Sequence, residues 1–383
     1  MSTAPRPVEE SVLRDLHDRL REFRRVPLAE GVGWSRGTDA EYLTELVAYW
    51  TQTYYWREHE ERILDYPWVY TGSGATGLRS IHQPAGPEAP TVVLLHGWPD
   101  SFLRFERVLP LLTDVNVVVP CLPGFPYADP VTRPGMSTVA MGDAVVAAMA
   151  ELGYDRYVVS GGDIGSSIAE SLADRHPDNV AALHLTDVPY THLFTVDPSE
   201  LTEEEQKYLG DGQAWQMAEG AYALMQSTKP HTLAVALGDS PAGLAAWIVE
   251  KLRSWSDCGG DVESVFPRDD LLTWVTAYWV TETIGSSFLP YVEDTPVIMG
   301  KIEVPTVVTI FPHDLVPAPQ VFAERFFDLR DWDEQPSGGH FGAWEKPEAY
   351  VAGLRRAVAL PEASVGRKDP DEPAQETEPA DGS

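Results

Sequence analysis

Val158-Val159-Ser160-Gly161-Gly162-Asp163-Ile164-Gly165-Ser166-Ser167 decides how this chain is read. The apolar run from Tyr157 to Ser160 predicts a buried strand, which breaks at two glycines. A helical pattern follows from Ser167 to His176 and stops at Pro177. Asp163 sits at the break, between the small residues Gly161, Gly165 and Ser166. This is the pattern of a nucleophile elbow, in which a sharp strand-to-helix turn lifts one side chain above the sheet edge. Small neighbours let the backbone pack that tightly. A carboxylate there can attack a saturated carbon and form an ester with it. The same residues also suit a glycine-rich turn whose Asp caps the next helix. Alone, the stretch leaves both readings open.

Bulk composition narrows the field. A chain of 383 residues can bury a large core and carry one sizeable domain with additions. Its formal net charge of −31 argues against nucleic acid and anionic membrane surfaces as partners, since both would repel it. The two cysteines, Cys121 and Cys258, are far apart and in no metal-ligand spacing, so both are expected as free thiols in a reducing compartment. No apolar stretch is long enough to cross a bilayer, and Met1 to Pro7 contains no apolar signal core, so the expectation is a cytoplasmic protein.

Outward from the elbow, Thr91–Leu95, Val115–Pro120, Val180–Leu185 and Val304–Ile310 are further apolar runs, mostly separated by helical stretches. Such alternation predicts an α/β fold with a mostly parallel sheet covered on both faces. Upstream, residues 8–25 and 39–62 each predict a helix, the second rich in aromatics. His59-Glu60 is no zinc helix, because Ile63 stands where the second histidine should be. Pro67 to Gln83 predicts short antiparallel strands, with Gly72, Gly74 and Gly77 as breakers. From Thr186 to about Gly300 the alternation gives way to helical, aromatic sequence, expected as a lid over the carboxyl ends of the strands. The expected division is 1–85 as an N-terminal region, 86–186 and 301–360 as the two halves of the core, 187–300 as the lid, and 361–383 as a disordered acidic tail.

An elbow nucleophile needs an acid and then a histidine later in the chain. His340, in Ser337-Gly338-Gly339-His340-Phe341, is the histidine at the correct end. Asp314 follows the strand Val304–Ile310 and is the favoured acid; Asp187, after Val180–Leu185, is the rival. His96-Gly97-Trp98-Pro99 follows another strand. The backbone N–H groups of Trp98 and Ile164 are the expected oxyanion hole, and Trp98-Pro99 is a candidate cis peptide.

At this point the motifs His96-Gly97-Trp98-Pro99, Leu122-Pro123-Gly124-Phe125, Gly161-Gly162-Asp163, Gln226-Ser227-Thr228-Lys229-Pro230 and Gly338-Gly339-His340-Phe341 resemble, together, the epoxide hydrolases of the microsomal type. The resemblance covers about 8–360. It implies the α/β-hydrolase fold, with a helical lid inserted after the nucleophile half and an N-terminal meander that wraps the core. It also implies that Tyr222 and Tyr291 bond the epoxide oxygen, and that no metal or organic cofactor takes part. The pocket wall is expected to include Trp98, Pro99, Phe125, Trp279 and Phe341. The implied reaction turns an epoxide and water into a vicinal diol through an ester on Asp163, with a homodimer left open. Many members carry Trp after the nucleophile. Ile164 in that place is similar to relatives from enediyne antibiotic pathways, and implies a bulky natural-product epoxide.

Three rivals are weighed against this. A dehalogenase shares the machinery, but a halide leaving group needs N–H donors, often an indole beside the nucleophile, which the Ile164 side chain cannot provide. An esterase would carry Ser at the elbow. A non-catalytic binding protein has no need of Asp163, Asp314 and His340 together.

Overall fold

The computed structural model describes residues 3–72, 77–131, 133–294 and 300–360. The breaker Gly74 and the expected tail at 361–383 lie outside the described residues. One sheet of eight strands organises the chain, in the order β1-β2-β4-β3-β5-β6-β7-β8. The strands are β1 Trp68–Thr71, β2 Leu78–Gln83, β3 Thr91–Leu95, β4 Asn116–Pro120, β5 Tyr157–Gly161, β6 Val180–Leu185, β7 Ile302–Ile310 and β8 Phe327–Glu334. β1 and β2 are antiparallel, and β2 meets β4 antiparallel. All pairings from β4 through β3 to β8 are parallel.

Every residue of β3, β4 and β5 is buried, as near-continuous apolar runs require when both faces of a sheet are covered. β8 (Phe-Asp-Leu-Arg-Asp-Trp-Asp-Glu) escapes the sequence reading because it is an edge strand. Only Phe327 is buried there, so no apolar run marks it. The chain moves from β3 outward to β4 on one side and to β5 on the other. The crevice above the carboxyl ends of β3 and β5 is therefore the switch point of the sheet.

The helices before and within the core are α1 Glu10–Arg21, α2 Ala40–Gln52, α3 Trp56–Leu64, α4 Thr138–Glu151 and α5 Ile164–Arg175. The single helix expected over 39–62 is two. α2 stops at Gln52, and α3 begins at Trp56. No glycine or proline marks the break. Tertiary contacts account for it: the Tyr54 hydroxyl bonds Thr273 at 3.0 Å and its ring stacks on His59 at 4.8 Å.

The insert carries α6 Glu203–Glu219, α7 Ala221–Thr228, α8 Pro230–Asp239, α9 Pro241–Trp255, α10 Arg268–Thr281 and α11 Leu289–Glu293. α12 Gln320–Phe326, α13 Gly342–Glu345 and α14 Pro347–Val358 complete the core. Leu13, Leu16 and Leu20 of α1 share one apolar cluster with the sheet and with Trp255 and Trp274 of the insert. The N-terminal region also pins the insert directly. Arg19 pairs with Asp239 at 2.7 Å, the Thr38 hydroxyl donates to the Ala246 carbonyl at 2.7 Å, and the Tyr49 hydroxyl donates to Asp269 at 2.8 Å. Cys121 and Cys258 are free and buried.

The turn after β5 leaves no room for a side chain. A Cβ on Gly165 would lie 2.3 Å from the Leu95 carbonyl oxygen, whereas one on Gly238, in α8, would meet nothing within 4 Å. Gly165→Ala is therefore expected to cost about 1–3 kcal/mol by overpacking. Gly238→Ala is expected to be neutral or to gain about 0.5 kcal/mol as a helical Gly-to-Ala change. Urea unfolding of the two variants measures both.

Candidate active site

Asp163 stands at the carboxyl end of β5 with φ 58° and ψ −130°. A non-glycine residue in that region carries roughly 1–3 kcal/mol of strain that surrounding structure must offset. The surroundings here are specific. A Cβ on Gly161 would lie 2.3 Å from the Gly165 carbonyl oxygen, and one on Gly97 would lie 2.3 Å from Asp163 Oδ1. The β3 loop thus presses its backbone onto the carboxylate, and the Trp98 N–H donates to Oδ1 at 2.7 Å. The Ile164 N–H, the next along the chain, favours the charged form of the same carboxylate. These are the two donors named from sequence, and Trp98-Pro99 is cis.

The loop is held by groups that no motif announced. The Gly97 N–H donates to Asp100 Oδ1 at 2.8 Å, Arg104 pairs with Asp100 at 2.8 Å, and Arg104 donates to the His340 carbonyl at 2.5 Å. Asp100 and Arg104 are both buried, four residues apart on one turn. That spacing was the available signal. His96, fully buried, accepts the Leu122 N–H at 3.2 Å; burial pushes its imidazole down to about 4, so it is a neutral structural group.

His340 follows β8, and its N–H donates to the Trp255 carbonyl at 2.8 Å. Its Nδ1 lies 2.7 Å from Asp314 Oδ1, and its Nε2 lies 3.5 Å from Asp163 Oδ2 with no hydrogen-bond partner of its own. Burial works against its charge, but the Asp314 carboxylate and then Asp163 prevail and push it up to about 10. Burial likewise opposes the Asp163 charge, and His340 with the two N–H groups holds the carboxyl below its ordinary value all the same. Asp163 and His340 therefore form an ion pair over a wide pH range.

Of the two acids weighed for the histidine, Asp314 takes the place beside Nδ1. Asp187 lies elsewhere: its Oδ1 accepts the Asp163 N–H at 3.1 Å, and its Oδ2 is 3.0 Å from Ser166 Oγ. Ser166 Oγ also donates to the Asp163 carbonyl at 2.7 Å. Tyr222 of α7 and Tyr291 of α11 approach from above, edge to face with ring centroids 6.0 Å apart. Trp98 stacks on Tyr222 at 5.2 Å and meets Tyr291 edge-on at 6.2 Å. Burial, and then the Asp163 carboxylate for Tyr222, hold both phenols well above their ordinary value, so both are neutral donors. Lys251, 5.3 Å from the Tyr222 ring and paired with Glu250, is a buried cation absent from the sequence reading.

These groups open into a cavity of about 410 Å³. The sequence reading of its wall needs correction. Trp98, Pro99, Phe125, Trp279 and Phe341 do not line it. Trp98 is the layer behind Tyr222; Phe125 packs on His96 at 4.9 Å; Phe341 packs on Trp274 at 5.9 Å. Trp279 lies beside Arg19 of α1, at 5.7 Å. Pro99 is buried within its turn. Large apolar residues next to motifs turn inward because burial there is worth more than a place on a wetted wall. The wall comes instead from Tyr190, Phe194, Trp215, Leu315 and Val316, with Ile164 at the floor. Among the described residues, no group of three or more His, Cys, Asp or Glu is arranged to hold a metal ion.

Comparison with known proteins agrees with this architecture. Residues 3–105 match a family model described as epoxide hydrolase N terminus, and residues 90–254 match one described as alpha/beta hydrolase fold. A protein of Stigmatella aurantiaca bearing the provisional name epoxide hydrolase is 35% identical, with 91% of this chain and 82% of that protein covered. Epoxide hydrolase 1 of Sus scrofa is 31% identical, with 91% and 86% covered. The crystal structure of juvenile hormone epoxide hydrolase from the silkworm Bombyx mori superposes with a TM-score of 0.82 at 28% identity, covering 91% of this chain and 92% of that one. That of the Aspergillus niger epoxide hydrolase superposes at 0.81 and 27%, covering 94% and 96%. With its epoxide-hydrolase N-terminal region, its α/β-hydrolase core and this similarity along nearly the whole described chain, the protein belongs to the epoxide hydrolases of the microsomal type.

Proposed function

We propose that Asp163 opens an epoxide by attack at one ring carbon, and that His340 then directs water to hydrolyse the resulting ester to a vicinal diol. The observation that carries this is a carboxylate on the elbow with two neutral phenols packed in the lid above it. In the first step an Asp163 oxygen bonds the carbon and the carbon–oxygen bond of the ring breaks. The freed alkoxide takes a proton from Tyr222 or Tyr291, a task suited to a phenol.

Ester formation removes the charge of Asp163. The ion pair that kept His340 protonated is gone, and only Asp314 still raises it. The imidazolium proton passes through water to the tyrosinate, which leaves a neutral Nε2 facing the ester. His340 is thus a cation in the resting site and becomes a base only after alkylation. It takes a proton from water, and the oxygen attacks the carboxyl carbon of Asp163. The N–H groups of Trp98 and Ile164 hold the oxyanion; each such donor is worth roughly 3 kcal/mol. As the intermediate collapses, one proton of the water leaves on the diol and the other returns to His340, restoring the ion pair.

For the substrate we extend the reading to a bulky, neutral natural-product epoxide of the enediyne-pathway kind. Ile164 in place of an indole, the aromatic shelf of Tyr190, Phe194 and Trp215, and a lining without Lys or Arg among the described residues support it.

A single turnover in oxygen-18 water tests the chemistry. The first diol is expected unlabelled, with the label in Asp163; label in that diol would mean direct attack by water. Asp163→Ala is expected to abolish turnover, and His340→Gln to accumulate a covalent ester visible by intact mass. Tyr222→Phe is expected to slow ring opening roughly 100-fold.

The ion pair has its own signature. NMR of histidine-labelled protein is expected to show His340 protonated until pH approaches 10, and to show a clear drop in Asp163→Asn. Because the folded value is raised, the stability it contributes is full below about 6.5 and is lost as pH rises through about 10.

A further inference from the structure

We propose that Asp187 is a positioning residue of this site and works as an uncharged carboxylic acid, accepting the N–H of Asp163 and donating its own proton to Ser166. The proposal rests on the reading of Asp163 as the nucleophile, and it starts from a count of hydrogens. Ser166 Oγ lies 2.7 Å from the Asp163 carbonyl oxygen and 3.0 Å from Asp187 Oδ2. A hydroxyl has one hydrogen, and a carbonyl oxygen can only accept, so the shorter contact uses it. The second contact then sets lone pairs against lone pairs unless Asp187 supplies a hydrogen. Its Oδ1 is already the acceptor of the Asp163 N–H at 3.1 Å, so Oδ2 carries the proton.

The surroundings favour the same state. The groups that face Asp187 are Asp163 at the end of β5, Ser166 of α5, Asp314 after β7, His340 after β8, and the phenol of Tyr208 in α6. The cations there are His340, which already serves Asp163 and Asp314, and Arg104, whose guanidinium lies across Gly162 from Asp187 Oδ1. Arg104, below the elbow, is committed to Asp100 and the His340 carbonyl. Two like charges in one site push the second ionisation up. Burial, and then the Asp314 carboxylate, push Asp187 up to about 7.

The neutral form matters to the second chemical step. After ester formation His340 must release its proton, and the loss of the Asp163 charge lets it do so. An ionised Asp187 would replace that charge from the neighbouring strand end and keep the imidazole protonated. Uncharged, Asp187 braces the left-handed backbone of Asp163 through its N–H and leaves the electrostatics of the histidine to Asp314.

The test compares wild type, Asp187→Asn and Asp187→Ala in single-turnover ester hydrolysis with styrene oxide, between pH 5.5 and 9.5. Asn keeps one acceptor and one donor and carries no charge. In wild type the hydrolysis rate is expected to fall as pH rises through about 7, because the acid form is the working one. Asp187→Asn is expected to lack that fall and to rescue what Asp187→Ala loses, a drop of about tenfold at neutral pH from the missing brace. If Asn falls as far as Ala, or keeps the same alkaline limb as wild type, the proposal is overturned. Infrared difference spectra supply an independent reading. A protonated-carboxyl stretch is expected in wild type at pH 6 and absent from Asp187→Asn; no difference between the two would refute the neutral acid even if epoxide turnover is normal. Should wild type turn over no epoxide, the nucleophile reading fails, while the infrared band still decides whether Asp187 holds a proton.

Discussion

The site depends on a backbone that approaches itself more closely than any side chain but hydrogen allows. Gly161 and Gly165 let β5 turn into α5 within three residues, and Gly97 lets the β3 loop come down onto the Asp163 carboxylate. The outcome is a carboxylate raised on a left-handed residue, with the Trp98 N–H already aimed at it. The strain of that residue is offset by the sheet below and by the bonds around it. Remove the close approach and both nucleophile and oxyanion donors go, because the same contact makes them.

Charge sets the second constraint. Three carboxyl groups, Asp163, Asp187 and Asp314, crowd around one imidazole. They take different roles because their hydrogen bonds differ. Asp163 meets N–H donors and the imidazole; Asp314 meets the far nitrogen of that ring and the Leu315 N–H. Asp187 meets the Asp163 N–H and a hydroxyl that it shares with the Asp163 carbonyl. In the proposed cycle the charge of His340 follows that of Asp163, so each step prepares the group the next one needs.

The insert and the N-terminal region are joined by direct polar contacts. Tyr222 and Tyr291 come from separate lid helices, and Trp98 of the core lies against both rings. α1 and α2 hold that lid from outside through Arg19, Thr38 and Tyr49. The N-terminal region is therefore tied to the insert helices α8, α9 and α10 as well as to the core.

Most of the strands, their order of appearance, and the elbow with its histidine and two candidate acids were legible in the chain alone. Buried parallel strands must be apolar throughout, and a tight turn must be small, so both leave marks at fixed spacing. The edge strand β8, the break at Thr53–Tyr55, the Asp100–Arg104 brace and the pocket wall left no such mark. Each exists because residues distant in sequence meet in space: an edge strand is exposed, a helix ends where a remote threonine takes its tyrosine, and a wall is whatever the lid presents. Which acid serves His340 belongs to the same class. Asp187 and Asp314 both follow core strands, and only the packing of β6 and β7 beside the elbow puts one against the imidazole and the other beneath the nucleophile.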